Sequence, residues 1–490
     1  MIKFVRAVVG ALALFAAAPA FAETDITGWW RADIEHNGET EPLYFHFAPN
    51  AEGAPRLRFS VPVARMHEVA GGPYDVAGDQ LTIPGFGLTF TLSADASAFD
   101  GVLPPTFVSM DPAPVHFVRS DAAPTPAEPA PRGAPPTPAW TVDAGAPVWA
   151  GLVADGSRAL FVANERGVVS ARAQRDGAEM WRADLGAGIF ATPTLHGRRL
   201  YVATDQALVA LDARTGRELW RGAPFGAERA PRLPITDANS KWDHYSSSAA
   251  VDDRLAVVGS RDGCVHALDV RDGSELWRSC TEDLITATPL LTADVVYYAG
   301  YDGRAYAVSR TDGRELWRYD TRSAIPRDVV RAGDAVIVGS RSFDLIALDR
   351  TTGQPRWSRL LWYSWIDSPP VFADGRLYLG TSDAVNVFAF DARTGAHIWA
   401  APVPGWTWPR VAVSRDTVFA GVVGGAYSAP RVGGFAAIDR ADGALLWLYP
   451  AARAEGGALY GFAAGPAVSG RRVFAADLNG QVYAFDLPRR

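Results

Sequence analysis

Through most of the chain, apolar segments of five or six residues alternate with short polar turns, and one polarity pattern keeps returning. Its fullest copy is Ala210-Leu211-Asp212-Ala213-Arg214-Thr215-Gly216-Arg217-Glu218-Leu219-Trp220: an apolar strand ending in Asp, a polar turn with Gly, and a second strand closed by Trp. It recurs at 267–277, 307–317, 347–357, 389–399 and 437–447, with a degenerate copy at 171–181 and a final one that begins at Ala484-Phe485-Asp486 and stops before its Trp. The pattern predicts a hairpin, and its Gly supplies the positive φ that a three-residue turn with a bulge requires.

The closing residues Trp181, Trp220, Trp277, Trp317, Trp357, Trp399 and Trp447 repeat about every 40 residues, the length of a four-stranded propeller blade. Two further strands lie upstream of each motif, as in Ala191-Thr192-Pro193-Thr194-Leu195 and Arg199-Leu200-Tyr201-Val202-Ala203. Trp140 stands one period before Trp181 with no motif in front of it. The segment around it is therefore expected to pair with 482–485 as the outer strand of the last blade, closing an all-β, eight-bladed ring over 139–490 and leaving no edge unpaired there.

The motif Ala-x-Asp-x-x-x-Gly-x-x-x-Trp resembles the tryptophan-docking motif of the pyrroloquinoline-quinone-type propeller repeats, and the likeness runs from about 138 to 490. The family includes quinone-dependent dehydrogenases and non-catalytic relatives similar to the outer-membrane assembly lipoprotein propeller, so the resemblance implies the fold and leaves the function open. In its catalytic members the quinone is stacked on a Trp, often against a disulfide of adjacent cysteines, beside a calcium held by Glu, Asn and Asp, with an Asp as base. Cys264 and Cys280 cannot form such a ring, and only assertion would make Asp367 or Asp243 the base. No catalytic residue, no metal ligand and no cofactor is therefore expected, with a quinone-and-calcium oxidoreductase as the alternative and a scaffold in outer-membrane protein assembly as a third reading.

The remaining segments refine this outline. Residues 1–22 carry Lys3 and Arg6, an apolar run and Ala20-Phe21-Ala22, the form of a secretory leader. A periplasmic or secreted location follows, and no Cys near the cleavage point suggests a lipid anchor. Loss of Lys3 and Arg6 takes the formal net charge of −7 down by two further charges, which argues against nucleic acid as a partner. Residues 23–120 lack the repeat and read as short strands at 28–34, 42–47, 55–61, 80–83, 88–92 and 115–118, the makings of a small antiparallel barrel or sandwich. The proline-rich stretch 121–138 is expected to be an extended linker. Cys264 and Cys280 fall opposite each other when the hairpin at Arg271-Asp272-Gly273 is registered, which predicts a disulfide.

With eight tryptophans assigned to docking and Trp29 and Trp30 opening the first domain, six are left: Trp149, Trp242, Trp362, Trp365, Trp406 and Trp408. All lie in connectors or at inner-strand starts, hence on one face, beside Tyr245, Tyr363, Tyr460 and Phe462 and the ionisable Asp243, His244, Arg327, Asp328, Asp367 and Arg410. An aromatic funnel with a few charges suits a small molecule, a peptide or an envelope protein. The candidate binding residues are Trp242, Tyr245, Arg327, Trp365, Asp367, Trp406, Trp408 and Arg410, on a chain expected to be monomeric. Gly433-Gly434 and Gly456-Gly457 read as turns.

Overall fold

The computed structural model describes residues 25–36, 39–62, 65–104, 112–126, 128–228, 232, 244–361, 364–426, 430–453 and 458–488. Residues 1–22, expected to be a leader, and Trp242, Asp243, Trp362, Tyr363 and Gly456-Gly457 lie outside them. No helix among the described residues is long and apolar enough to cross a membrane.

The first domain is one curled, nine-stranded antiparallel sheet. Its strands are β1 (Gly28–His36), β2 (Glu39–Pro49), β3 (Pro55–Val61), β4 (Met66–Gly72), β5 (Asp75–Ala77), β6 (Gln80–Ile83), β7 (Leu88–Leu92), β8 (Ala98–Leu103) and β9 (Ala113–Ser120), in the order β4-β3-β2-β1-β9-β8-β7-β6-β5. Strand β1 lies inside the sheet because β9, the central strand, returns to it, Trp29 opposite Ser120. Alternation of inward and outward residues is clean in β7, and the inward set meets Trp30, Phe45, Phe47, Phe90, Phe99 and Phe117 in one core, against which Leu360 also packs.

Eight blades follow, seven of four strands and one, the seventh, with two further short strands added to its four. Blade one comprises Val153–Asp155, Ala159–Ala163, Val168–Ala173 and Glu179–Asp184, and blades two to seven occupy 194–221, 250–280, 290–320, 330–360, 371–402 and 412–450. In all seven the motif Ala lies directly opposite the motif Trp, with a register shift at the next residue. That shift is the bulge which the turn glycine was expected to accompany. Blade eight is Ala467–Ser469, Arg472–Ala476 and Gln481–Asp486, completed by Trp140–Asp143 from the other end of the domain. Trp140 faces Ala484 as each motif Trp faces its Ala.

What joins the blades is the same residue. Each indole N–H from Trp140 to Trp399 donates to a turn carbonyl of the following blade, for instance Trp317 to Arg350 at 3.1 Å and Trp140 to Gln174 at 3.0 Å. The ring lies over the turn glycine of that blade, where an added Cβ would come within 2.5–3.0 Å of it. Trp447 instead packs against Phe435 and Phe485.

The disulfide forms between Cys264 and Cys280, which are paired in the hairpin register. The proline-rich stretch is more than a spacer: Arg132 and Gly133 donate backbone N–H groups to Leu445 and Leu446, and Arg132 pairs with Asp442 at 2.9 Å. Blade seven departs most from the repeat. Its strand Thr417–Ala426 runs ten residues and also pairs with Pro430–Arg431 and Leu459–Gly461. Gly433-Gly434 is accordingly not a turn but the entry to the next strand, and a Cβ on Gly433 would meet the backbone of Tyr460 and Gly461 at 2.8 and 3.0 Å.

Candidate functional site

Each connector delivers the chain to an inner strand, and the turns between second and third strands rise at the same end of the ring. Side chains from both sets meet over the channel. Tyr245, from the connector before blade three, donates its hydroxyl to Ala463 O at 2.9 Å, at the start of blade eight, and so spans the channel. The Arg327 guanidinium lies on the Tyr245 ring, 3.4 Å from its centroid, and donates to Asp367 O at 2.5 Å and Trp408 O at 3.1 Å. The Asp367 carboxylate is held by Arg341 at 3.1 Å, both side chains being at most 6% exposed. Arg341 in turn covers the Trp365 ring at 4.6 Å.

Electrostatics follow from this enclosure. Burial pushes the Tyr245 phenol up to about 12, against the pull of the neighbouring Arg327. His244, which packs on Trp149, is pushed down to about 4 by burial and by the charges of Arg232 and Arg261, so it is neutral at ordinary pH. Asp383 is raised to about 6 by desolvation and by Asp367, with Arg431 opposing. Burial next to arginines keeps the imidazole neutral, and burial next to a second carboxylate holds the acid's proton.

Of the candidates, Tyr245, Arg327, Asp367 and Trp408 converge on one small space with Tyr301 and Arg341. Trp406 stacks on Trp408, ring centroids 5.0 Å apart, on its way into a buried cluster with Trp149, Val385, Val423 and Ala463. Trp365 lies beneath Arg341. Arg410 sits apart, its side chain 52% exposed, paired with Asp328 at 3.4 Å. Trp242 lies outside the described residues. Most of these rings and charges satisfy one another and cap the channel, because indoles placed at the ring's centre have more apolar surface to gain from each other than from solvent.

Under that cap lies a cavity of about 200 Å³, lined by Trp149, Phe190, Tyr245 and Arg327 and by one residue from every blade. These occupy the same position at the start of each inner strand: Gly151, Thr192, Ser248, Thr288, Asp328, Pro369, Arg410 and Gly465. Sequence reasoning missed the ring except for Asp328 and Arg410, and missed Arg341 and Tyr301 altogether. The recurrent Ala-Thr-Pro at 191–193 and 287–289 was the available signal for the ring, whereas Arg341 and Tyr301 stand in short turns that carry no mark of their own.

A family model described as outer membrane protein assembly factor BamB matches residues 135–240, 236–359 and 306–490. Quinohemoprotein alcohol dehydrogenase ADH IIB of Pseudomonas putida is 35% identical over 106 residues, 21% of this chain and 14% of that protein. Outer membrane protein assembly factor BamB of Xanthomonas campestris pv. campestris is 26% identical over 180 residues, 29% of this chain and 44% of that protein. The matched stretches thus span less than half the length of either relative. Among solved structures, quinohemoprotein alcohol dehydrogenase ADHIIG from Pseudomonas putida HK5 superposes with a TM-score of 0.55 at 14% identity, over 74% of this chain and 80% of that one, a likeness of fold.

Proposed function

Since this chain belongs to the BamB-type repeat family of β-propellers, we propose that it is a non-enzymatic propeller of the cell envelope, periplasmic or secreted, that engages a protein partner through its connector face. The observation that carries the reading is the cap itself. Arg341 neutralises Asp367, Arg327 is held by carbonyls and by Tyr245, and the Tyr245 hydroxyl is tied to Ala463, so among the described residues the groups that cap the channel engage one another. The face around it still offers an extended blade-seven hairpin with Val432, which is 53% exposed.

A quinoprotein dehydrogenase is the second reading, supported by the local likeness to ADH IIB. The residues present do not fit its cofactors. A tricyclic quinone would have to displace the Arg327–Tyr245 stack, and the disulfide lies between strands of blade three rather than between adjacent cysteines. Among the described residues the one cluster of potential metal ligands is Asp262, Cys264 and His266, and its Cys is already in the disulfide.

The test pairs two measurements. Incubation with pyrroloquinoline quinone and Ca²⁺ is expected to leave dye-linked alcohol oxidation at background, and a photo-crosslinker at Val432 is expected to trap a discrete envelope protein that one at Leu316, on the outer strand of blade four, does not. Quinone-dependent dye reduction, or equal trapping at both positions, would overturn the proposal.

A further inference from the structure

We propose that the cavity beneath the cap is a binding site for a small hydroxylated carboxylate, such as a three- or four-carbon hydroxy acid. The first support is the arrangement of the ring. Blades two to five contribute Thr192, Ser248, Thr288 and Asp328 in succession and blade seven contributes Arg410, while blades eight and one contribute Gly465 and Gly151. Polar groups thus stand on one side, and on the other the glycines allow close packing: a Cβ at Gly151 would meet Thr192 Oγ1 at 2.6 Å, and one at Gly465 would meet Arg410 O at 3.3 Å.

The second is the hydrogen-bonding character of the lining. Thr192 Oγ1 accepts from Gly151 N at 2.9 Å and Thr288 Oγ1 from Ser248 N at 3.2 Å, so each hydroxyl keeps its own proton to donate, and neither has an acceptor among the described residues. The Arg410 guanidinium, paired with Asp328 at 3.4 Å through one nitrogen, adds its further N–H groups to these two hydroxyls, and such donors suit a ligand rich in acceptors.

The third is Arg327. It is 7% exposed, lines the cavity, and has carbonyls but no carboxylate as partners among the described residues. A buried guanidinium held by neutral carbonyls and an aromatic face keeps an affinity for anions, and a bound carboxylate reaching from Arg327 toward Arg410 would answer it. The space, about 200 Å³, holds roughly seven waters at ~30 Å³ each. That accommodates a molecule the size of glycerate together with ordered water.

Isothermal titration of the whole protein with D-glycerate, with glycerol and propionate as probes lacking one or the other group, tests this. Glycerate is expected to bind, and both controls to bind at least about tenfold more weakly. Arg410→Gln, a change at an exposed side chain, is expected to weaken glycerate at least about tenfold, and Thr288→Val to weaken it less. Absence of glycerate binding at tens of millimolar, equal binding of glycerol or propionate, or an unchanged affinity in folded Arg410→Gln would each overturn the site. Trapping at Val432 and dye-linked oxidation report on the partner-binding reading separately, so either proposal can fail while the other stands.

Discussion

At the scale of single residues, the repeat is a joint made of three parts. In blade five Asp349 Oδ1 accepts from the backbone of Thr351 and Thr352 and from the Thr352 hydroxyl, which sets the turn. Gly353, at φ 71°, leaves the space in which Trp317 of blade four lies, since a Cβ there would be 2.7 Å from its ring. Gly333 has a similar φ of 61° with nothing within 4 Å. Gly333→Ala should therefore cost only the left-handed backbone, about 1–2 kcal/mol, and Gly353→Ala should add an overpacking cost of about 1–3 kcal/mol. Urea denaturation of both compares them, and equal losses would mean that the indole does not rest on the turn. Trp408 and Arg410, two positions apart, also part company here. Trp408 is 6% exposed, so Trp408→Ala should cost about 3–5 kcal/mol, whereas Arg410→Ala removes a half-exposed ion pair worth about 0–1 kcal/mol. Similar melting temperatures for the two variants would contradict the buried position of Trp408.

Among the elements, the strand Trp140–Asp143 matters most for its length. It adds four paired residues to blade eight and docks Trp140 on blade one, so the ring is closed by chain ends that lie far apart in sequence. A protein beginning at Gly145 loses the ladder and the docked indole, together several kcal/mol, and should melt well below one beginning at Thr137. Coincident melting curves would remove the closing role. The disulfide of blade three staples one hairpin whose cysteines are 16 apart in sequence, a loop for which chain entropy predicts about 3 kcal/mol. Replacing both cysteines by Ser should lower stability by that order, read in the same denaturation experiment, and a change near zero would show that the hairpin is already fully determined by its register.

For the whole molecule, the shielded channel predicts a response to pH. His244 has a folded pKa of about 4 against 6.5 for an exposed imidazole. Between those values the unfolded chain takes up a proton that the folded one refuses, so this residue makes stability fall as pH drops from about 6.5 to 4, by up to about 1.4 kcal/mol per unit. Asp383, with a raised folded pKa, acts in the opposite sense over pH 4–6. The comparison that isolates the histidine is His244→Gln against the parent: the parent should lose stability relative to the variant as pH falls through this window. Parallel stability curves would place His244 in contact with solvent.

The all-β class, the eight blades, the closing strand, the docking tryptophans and the disulfide were legible in the chain, because each depends on local periodicity repeated until chance is excluded, or on register within one hairpin. Ala267 opposite Trp277 and Cys264 opposite Cys280 follow from counting along two strands joined by a turn. What the repeat does not encode had to wait for the fold. Arg341 and Tyr301 carry no mark of function in their own segments, and whether Trp406 and Trp408 line a funnel or fill it depends on what seven other blades bring to the same axis. The channel's cap and the cavity beneath it arise from contacts between residues as distant as Tyr245 and Ala463. Such contacts are decided by closure of the ring, and closure converts eight nearly equivalent starts of strands into one asymmetric site.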